Sequence, residues 1–174
     1  MIKQENNYSL WLRPSQSLID ELTKIISRLA HHNHGAIFPP HITLLTSISA
    51  NRNTIMGICT QIIEQYSAFD ITLEEIAYTN MYFRNLYISA RLESPLISLY
   101  EDFKKRLNYT TNEVFTPHVS LFYGALDVKR QQVLKKELTN NYSKLFNCQR
   151  IDLYNTTGKE NEWHLIESFY LKKP

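Results

Sequence analysis

The chain has 174 residues, 43% of them hydrophobic, and its 19 basic and 17 acidic side chains give a formal charge of +2. This length fits one domain with a sizeable core. The balanced charge argues against a protein that binds long nucleic acid mainly by neutralising phosphates, but it is compatible with a small anionic ligand. The sequence shows no signal peptide and no apolar run long enough to span a bilayer, so we expect a cytoplasmic protein without a membrane partner.

The first half of the chain predicts the order strand, helix, strand, helix, strand. Pro14 ends the first strand, and Gly35 suits a left-handed stop after the first helix. Apolar residues recur at helical spacing in the segments between the strands. The predicted elements are strands at 8–14, 41–47 and 69–78 and helices at 18–30 and 51–66.

The second half repeats this order, which predicts two divergent copies, at 8–78 and 82–156, within a single domain spanning residues 1–174. A turn-like stretch at 157–161 precedes one further strand and suggests a terminal hairpin. The fold class is therefore α+β, with two pseudo-symmetric lobes, each an antiparallel-rich sheet with helices packed outside, and a cleft between them. The predicted elements are strands at 82–92, 118–123, 148–154 and 162–172 and helices at 95–107 and 128–140.

A seven-residue motif, F-x-P-H-[IV]-[TS]-L, occurs at 38–44 and again at 115–121. Proline disfavours helix for the residue before it, so each copy marks the start of an extended segment. Side chains alternate along a strand, so His41 and Thr43 share one face, and His118 and Ser120 do the same. The apolar neighbours of these residues then face a core. Two such polar faces turned toward each other would form a site.

The remaining titratable residues show no pattern for a metal. Cys59 and Cys148 lack the spacing of zinc ligands, and free buried thiols are favoured over a disulfide. The histidines at 31, 32 and 34 are interpreted as a solvated helix end. His164 is interpreted as an exposed strand residue. We therefore expect neither a metal nor another cofactor.

The paired motifs, with Tyr8-Ser9-x-Trp11 and the stretch H-V-S-L-F-Y at 118–123, resemble the two-histidine phosphoesterase superfamily and, within it, the cyclic phosphodiesterases of plants and yeast. The resemblance covers nearly the whole chain. It implies metal-independent hydrolysis of nucleoside 2′,3′-cyclic phosphates to 2′-phosphates, of ADP-ribose 1″,2″-cyclic phosphate from tRNA splicing, or of both. The partner would be this small cyclic phosphate, and we expect a monomer.

The resemblance also implies roles for single residues. His41 and His118 match the catalytic histidines, and Thr43 and Ser120 match the hydroxyls that bind phosphate. Tyr123 matches a tyrosine that holds the substrate, although a core position fits it equally well. Trp11 fits the core better than its alternative role, a wall beside the base.

Opening a cyclic phosphate requires a base for the water proton and an acid for the leaving oxygen, and an imidazole with a pKa near 6.5 can serve as either. We assign His118 as the base and His41 as the acid.

Two other functions remain open. A member of the same superfamily could process RNA ends, including RNA 3′ ends with a cyclic phosphate or by a ligase-like reaction, and would need a basic groove with stacking aromatics. A non-catalytic nucleotide-binding module would retain the cleft without a reason for two symmetric pairs of imidazole and hydroxyl.

Overall fold

The computed structural model describes residues 7–138 and 144–173 of the chain and confirms the α+β class. The last residues of the predicted helix at 128–140, from 139 onward, lie outside the described residues. The elements are the helices α1 (Gln16–Asn33), α2 (Arg52–Ile63), α3 (Ser94–Arg106) and α4 (Val128–Glu137), and the strands β1 (Tyr8–Leu12), β2 (Ile42–Ile48), β3 (Phe69–Tyr78), β4 (Leu86–Ala90), β5 (His118–Phe122), β6 (Lys144–Cys148), β7 (Arg150–Asn155) and β8 (His164–Tyr170).

The eight strands form one antiparallel sheet in the order β6-β3-β4-β5-β2-β1-β7-β8. The two motif strands lie at its centre, where Ile42 of β2 pairs with Val119 of β5. The predicted sheets of the two lobes are therefore joined into a single sheet. Each motif strand presents a free edge to the other, and pairing satisfies the backbone groups of both edges.

The sheet also exchanges strands between the two sequence repeats. The third strand of the first repeat, β3, pairs with β4 and β6, whereas β7 of the second repeat pairs with β1. Each half of the sheet therefore contains one strand from the other repeat, which the sequence order does not indicate. The predicted terminal hairpin is confirmed, since β8 pairs antiparallel with β7.

In the second half, one predicted strand begins late and one strand was not predicted. The predicted strand at 82–92 begins instead with a 3₁₀ turn, Tyr82–Arg84, and β4 starts only at Leu86. In the region after the fourth helix, Lys144–Cys148 forms an additional edge strand, β6, beside β3. The sequence of β6, K-L-F-N-C, places two apolar residues side by side, so it does not show the clean alternation that predicts a strand.

The first helix ends differently from the prediction. His34, not Gly35, adopts the left-handed conformation (φ 53°), and its backbone N–H donates to the carbonyl of Ala30. Gly35 is needed for another reason, because a Cβ at this position would lie 2.2 Å from the ring of Phe122. The glycine thus lets the chain approach the end of β5, where Ala36 donates to the carbonyl of Tyr123.

The helices pack on the apolar face of the central strands, α1 against β5 and α3 against β2. Ile42 and Val119 are fully buried in this core together with Leu22 of α1 and Leu99 of α3. The opposite face of the motif strands is consequently free to carry polar side chains. No helix in the described part of the chain has both the length and the apolar character needed to cross a bilayer.

Candidate active site

A cleft of about 480 Å³ opens over the centre of the sheet, on the face opposite the core. Side chains alternate along a strand, so the residues flanking buried Ile42 and Val119 point into this cleft. The motif residues that line it are His41, Thr43, His118 and Ser120. The structure therefore brings together the four residues predicted to form the site.

The register of β2 and β5 sets how these four residues are arranged. From the pairing of Ile42 with Val119, antiparallel strands place His41 opposite Ser120 and Thr43 opposite His118. Each imidazole thus lies beside the hydroxyl of the other motif, and the hydroxyl of its own motif is two residues further along the same strand. On each of the two strands a histidine therefore faces a hydroxyl of the neighbouring strand.

Both imidazoles are held by the same kind of contact. His41 Nδ1 lies 2.6 Å from the carbonyl oxygen of Pro39, and His118 Nδ1 lies 2.8 Å from that of Thr116. A carbonyl only accepts, so Nδ1 carries the proton and donates in each ring. The neutral tautomer then leaves Nε2 as an acceptor, available to take a proton from water.

The prolines that precede the histidines are also fixed through their carbonyls, but by different donors. The backbone N–H of Ala90 donates to Pro117 (2.9 Å), whereas the side chain of Arg13 donates through Nη1 to Pro40 (2.6 Å). Arg13 is buried and forms an ion pair with buried Asp152 at 3.4 Å. A buried charge network therefore holds the first motif where a backbone bond holds the second.

Burial changes the protonation of the two histidines. Loss of solvation is the main cause that lowers the pKa of His41 to about 3, with smaller contributions from the charges of Arg13 and His118. The pKa of half-buried His118 is also lowered, first by burial and then by the charge of Arg84. Both imidazoles are therefore neutral at pH 7 in the free protein.

The two hydroxyls differ in their contacts. Ser120 is buried and donates through Oγ to the carbonyl oxygen of Phe83, at 2.8 Å. Thr43 is half-buried, and its hydroxyl has no partner among the described residues. The Thr43 hydroxyl can therefore donate to a ligand directly, whereas the Ser120 hydroxyl must first rotate away from the backbone.

Trp11 lies under the first histidine. Its ring stacks on His41, with centroids 3.6 Å apart and planes 9° from parallel, and on Tyr154 at 3.8 Å. Only 2% of the residue is exposed, so both ring faces are occupied by protein. Trp11 thus belongs to the core and supports the His41 ring. It also lines the cleft, but both of its ring faces are covered, so a base could not stack on it.

Tyr123 lies in the core and also at the cleft, and its contact with a substrate stays a prediction. The residue is buried and stacks on Phe38 of the first motif at 3.5 Å, yet it also lines the cleft. Burial raises the pKa of its phenol, and the neighbouring Ser120 side chain opposes this shift. Tyr123 therefore connects the hydroxyl of one motif with the aromatic ring of the other.

The cleft also contains residues that the sequence did not single out. Phe83, which is 54% exposed, and Trp163 lie on one wall with their ring centroids 6.2 Å apart. Arg84, in the same 3₁₀ turn as Phe83, lines the cleft near His118. The sequence predicts strand in place of this turn, and these residues fall outside the repeated motif. The only signal for them is the clustering of aromatic residues at 82–83.

No three His, Cys, Asp or Glu side chains in residues 7–138 and 144–173 are grouped as metal ligands. Both cysteines are free and buried, as predicted, and burial raises the pKa of each thiol to about 12. The histidines at 31, 32 and 34 are exposed at the helix end, and His164 is exposed on β8, in agreement with their predicted settings.

The comparison with protein families supports the predicted resemblance. A family model described as cyclic phosphodiesterase-like protein matches residues 7–171, which is nearly the whole chain. The chain belongs to the cyclic phosphodiesterase-like family. This cyclic phosphodiesterase-like protein is 21% identical, over 119 residues, to the cyclic phosphodiesterase of Arabidopsis thaliana. The alignment covers 68% of this chain and 66% of the plant protein, just under two thirds of that relative's length.

Solved structures share the fold of this cyclic phosphodiesterase-like protein. TT0787 of Thermus thermophilus superposes with a TM-score of 0.72 at 13% identity, covering 96% of this chain and 98% of that protein. LigT of E. coli, in complex with 3′-AMP, gives a TM-score of 0.65 at 11% identity and covers 97% and 99% of the two chains. At such low identity these similarities show the fold alone.

Proposed function

We propose that this protein is a metal-independent cyclic phosphodiesterase acting on nucleoside 2′,3′-cyclic phosphates, on ADP-ribose 1″,2″-cyclic phosphate, or on both. The observation that carries the proposal is the pair of imidazoles in one cleft, each held through Nδ1 by a backbone carbonyl and each beside hydroxyls of both motifs. Family membership adds independent support.

The proposed reaction needs no group beyond these side chains and water. One histidine takes a proton from water through Nε2, and the water oxygen forms a bond to phosphorus. The bond from phosphorus to one ring oxygen breaks, and the other histidine gives its proton to that oxygen. Thr43 and Ser120 donate to the non-bridging oxygens, whose negative charge grows in the transition state. The two histidines end with exchanged protonation states.

Burial favours the reverse of the acid and base roles predicted from the sequence. His41 is buried and stacked, so in the free protein a proton resides more readily on half-buried His118. His41 is then the base and His118 the acid. A substrate with sulfur in place of the leaving oxygen needs no acid, so it should still be hydrolysed by His118→Ala but not by His41→Ala. The opposite pattern would restore the sequence-based assignment.

A nucleotide fits the cleft by its chemistry. The aromatic wall of Phe83 and Trp163 provides apolar contact area for a base, and the motif hydroxyls suit a phosphate. LigT of E. coli has been solved with ATP, with NADP⁺ and with phosphate, which supports a nucleotide ligand for this fold. We propose that the base and ribose orient the cyclic phosphate so that the 3′ oxygen leaves and a 2′-phosphate forms.

Processing of RNA ends is less well supported by this cleft. Of the described residues that line it, Arg84 is the single lysine or arginine, and Glu113 contributes a negative charge. A long polyanion gains its affinity from many cationic contacts, which this surface does not offer. A small cyclic phosphate needs far fewer.

The test is hydrolysis of adenosine 2′,3′-cyclic phosphate and of ADP-ribose 1″,2″-cyclic phosphate, each with and without excess chelator. We expect turnover of at least one substrate that persists with the chelator. Loss on chelation that one divalent metal restores would contradict the mechanism. Binding of both substrates without turnover would instead identify a non-catalytic module.

A further inference from the structure

The guanidinium of Arg84 is a charge in the cleft that the proposed reaction does not use. Arg84 follows Phe83 in the 3₁₀ turn before β4, and its charge acts on His118. Among the residues that the structure describes, no carboxylate forms an ion pair with it. A partly desolvated cation without a counter-ion is costly, so this arrangement suits an anionic ligand.

Neutral contacts hold the guanidinium in place. Nη1 donates to Thr116 Oγ1 at 2.6 Å, and Nη2 donates to the sulfur of Met81 at 3.4 Å. The guanidinium carbon lies 5.6 Å from the ring centroid of Tyr87. The Nε–H is shielded from solvent and has no partner among the described residues. Since arginine has five N–H donors, three are left unused by these contacts.

The position of Thr116 locates the guanidinium relative to the reacting phosphate. Thr116 precedes His118 by two residues in an extended segment before Pro117, a separation of about 6 to 7 Å along the chain. It lies on the side of His118 away from Ser120. In the proposed reaction the scissile phosphate binds between the two motifs, so the guanidinium is placed to contact a part of the ligand one group further out.

We propose that Arg84 binds a second phosphate of the substrate, separate from the cyclic phosphate, and thereby selects nucleotides that carry one. This inference rests on the proposed function and narrows its substrate class to nucleoside 2′,3′-cyclic phosphates that also carry a 5′-phosphate. Arg84 is the single lysine or arginine among the described residues lining the cleft, so its removal should take away most of this preference.

The experiment compares adenosine 2′,3′-cyclic phosphate with its 5′-phosphorylated form. The wild-type protein should show a higher kcat/KM for the 5′-phosphorylated substrate. With each protein assayed at its own pH optimum, so that the changed protonation of His118 does not enter, Arg84→Gln should lower that value about ten-fold or more, as expected for lost hydrogen bonds between charged groups. The value for the simpler substrate should change less than about three-fold. Arg84→Lys should lie between the two. Arg91→Gln removes an exposed arginine that pairs with Glu74 outside the cleft and should leave both values unchanged.

Equal losses for both substrates in Arg84→Gln would show that the arginine acts on His118 or on the scissile phosphate, and would overturn the inference. Equal kcat/KM of the wild type for both substrates would also overturn it, although the proposed function would stand. If neither substrate is hydrolysed, the proposed function fails. In that case, calorimetry of the binding of adenosine 2′-phosphate and of adenosine 2′,5′-bisphosphate tests the inference. Arg84→Gln must weaken the binding of the bisphosphate alone, and any other result overturns the inference.

Discussion

The motif histidines combine a fixed tautomer with a low affinity for protons. His41 and His118 each donate through Nδ1 to a carbonyl two residues earlier, and burial lowers the pKa of both. The carbonyl contact raises the pKa of each ring, whereas burial lowers it and has the larger effect. An anionic substrate can shift this balance between the charged and the neutral ring. The negative charge of a bound phosphodiester raises the pKa of both imidazoles, so the acid gains its proton as substrate binds.

This balance predicts the pH dependence of kcat/KM, which reports the groups of the free protein. The active form has one protonated and one neutral imidazole. With the pKa of His41 at about 3 and that of His118 below 6.5, this form is most populated in the acidic range. We expect kcat/KM to be highest below pH 6.5 and to fall about ten-fold per unit at higher pH. A value that rises between pH 6.5 and 8.5 would contradict these shifts.

The two motif hydroxyls should differ in their effect on turnover. Thr43 has an uncommitted donor, whereas Ser120 already donates to the carbonyl of Phe83. A hydrogen bond to a charged group typically contributes about 1.5 to 3 kcal/mol, and Ser120 must give up a bond to make one. We therefore expect Thr43→Ala to lower kcat/KM more than Ser120→Ala, and both to cost less than loss of a histidine. Steady-state kinetics would reject this account if the double variant matched the wild type.

The α1–β2 loop can approach β5 closely because Gly35 has no side chain. Gly35→Ala would place a Cβ 2.2 Å from the ring of Phe122, and we expect a loss of stability of about 1 to 3 kcal/mol from overpacking. Gly57→Ala is the matched control, since Gly57 lies in α2 with nothing within 4 Å of an added Cβ, and should stabilise by about 0.5 to 1 kcal/mol. Urea unfolding of both variants tests the difference, and equal stabilities would show that Phe122 moves freely aside.

Arg13, which follows β1, connects β7 to the first motif, because it pairs with Asp152 and donates to the carbonyl of Pro40. Arg13→Met removes the donor to Pro40, while Asp152 keeps Arg150 (3.0 Å) and Ser168 as partners. We expect kcat to fall about ten-fold or more because His41 is displaced. Burial is the main cause of the low pKa of His41 and the Arg13 charge adds to it, so the variant should also raise that pKa. The acidic limb of the pH profile, which His41 sets, should then move to higher pH, while the alkaline limb set by His118 stays in place.

Arg150→Met is the control for this prediction, because it removes a cation from Asp152 without touching Pro40. It should leave the pH profile in place, even if stability falls. Identical profiles for the two variants would show that the network serves only to hold the strands together.

The whole chain shows which features can be predicted from sequence. The repeated motif predicts both central strands, the buried partners Ile42 and Val119, and the convergence of four polar side chains, because strand alternation and proline chemistry act locally. The sequence does not predict the exchange of β3 and β7 between the halves, because pairing partners depend on tertiary packing. The contacts of Arg13 and Arg84 cannot be predicted for the same reason, because their partners, Pro40 and Thr116, lie 27 and 32 residues away in the sequence.

In the proposed function, His41 and His118 together hydrolyse a cyclic phosphate. The most direct measurement is phosphorus NMR of adenosine 2′,3′-cyclic phosphate incubated with the wild type, His41→Ala, His118→Ala and the double variant. We predict a single product, the 2′-phosphate, a loss of about 10² to 10⁴-fold in rate for each single variant, and little further loss in the double variant. A single variant that retains more than about a tenth of the wild-type rate would contradict the claim, and the 3′-phosphate as sole product would contradict the orientation.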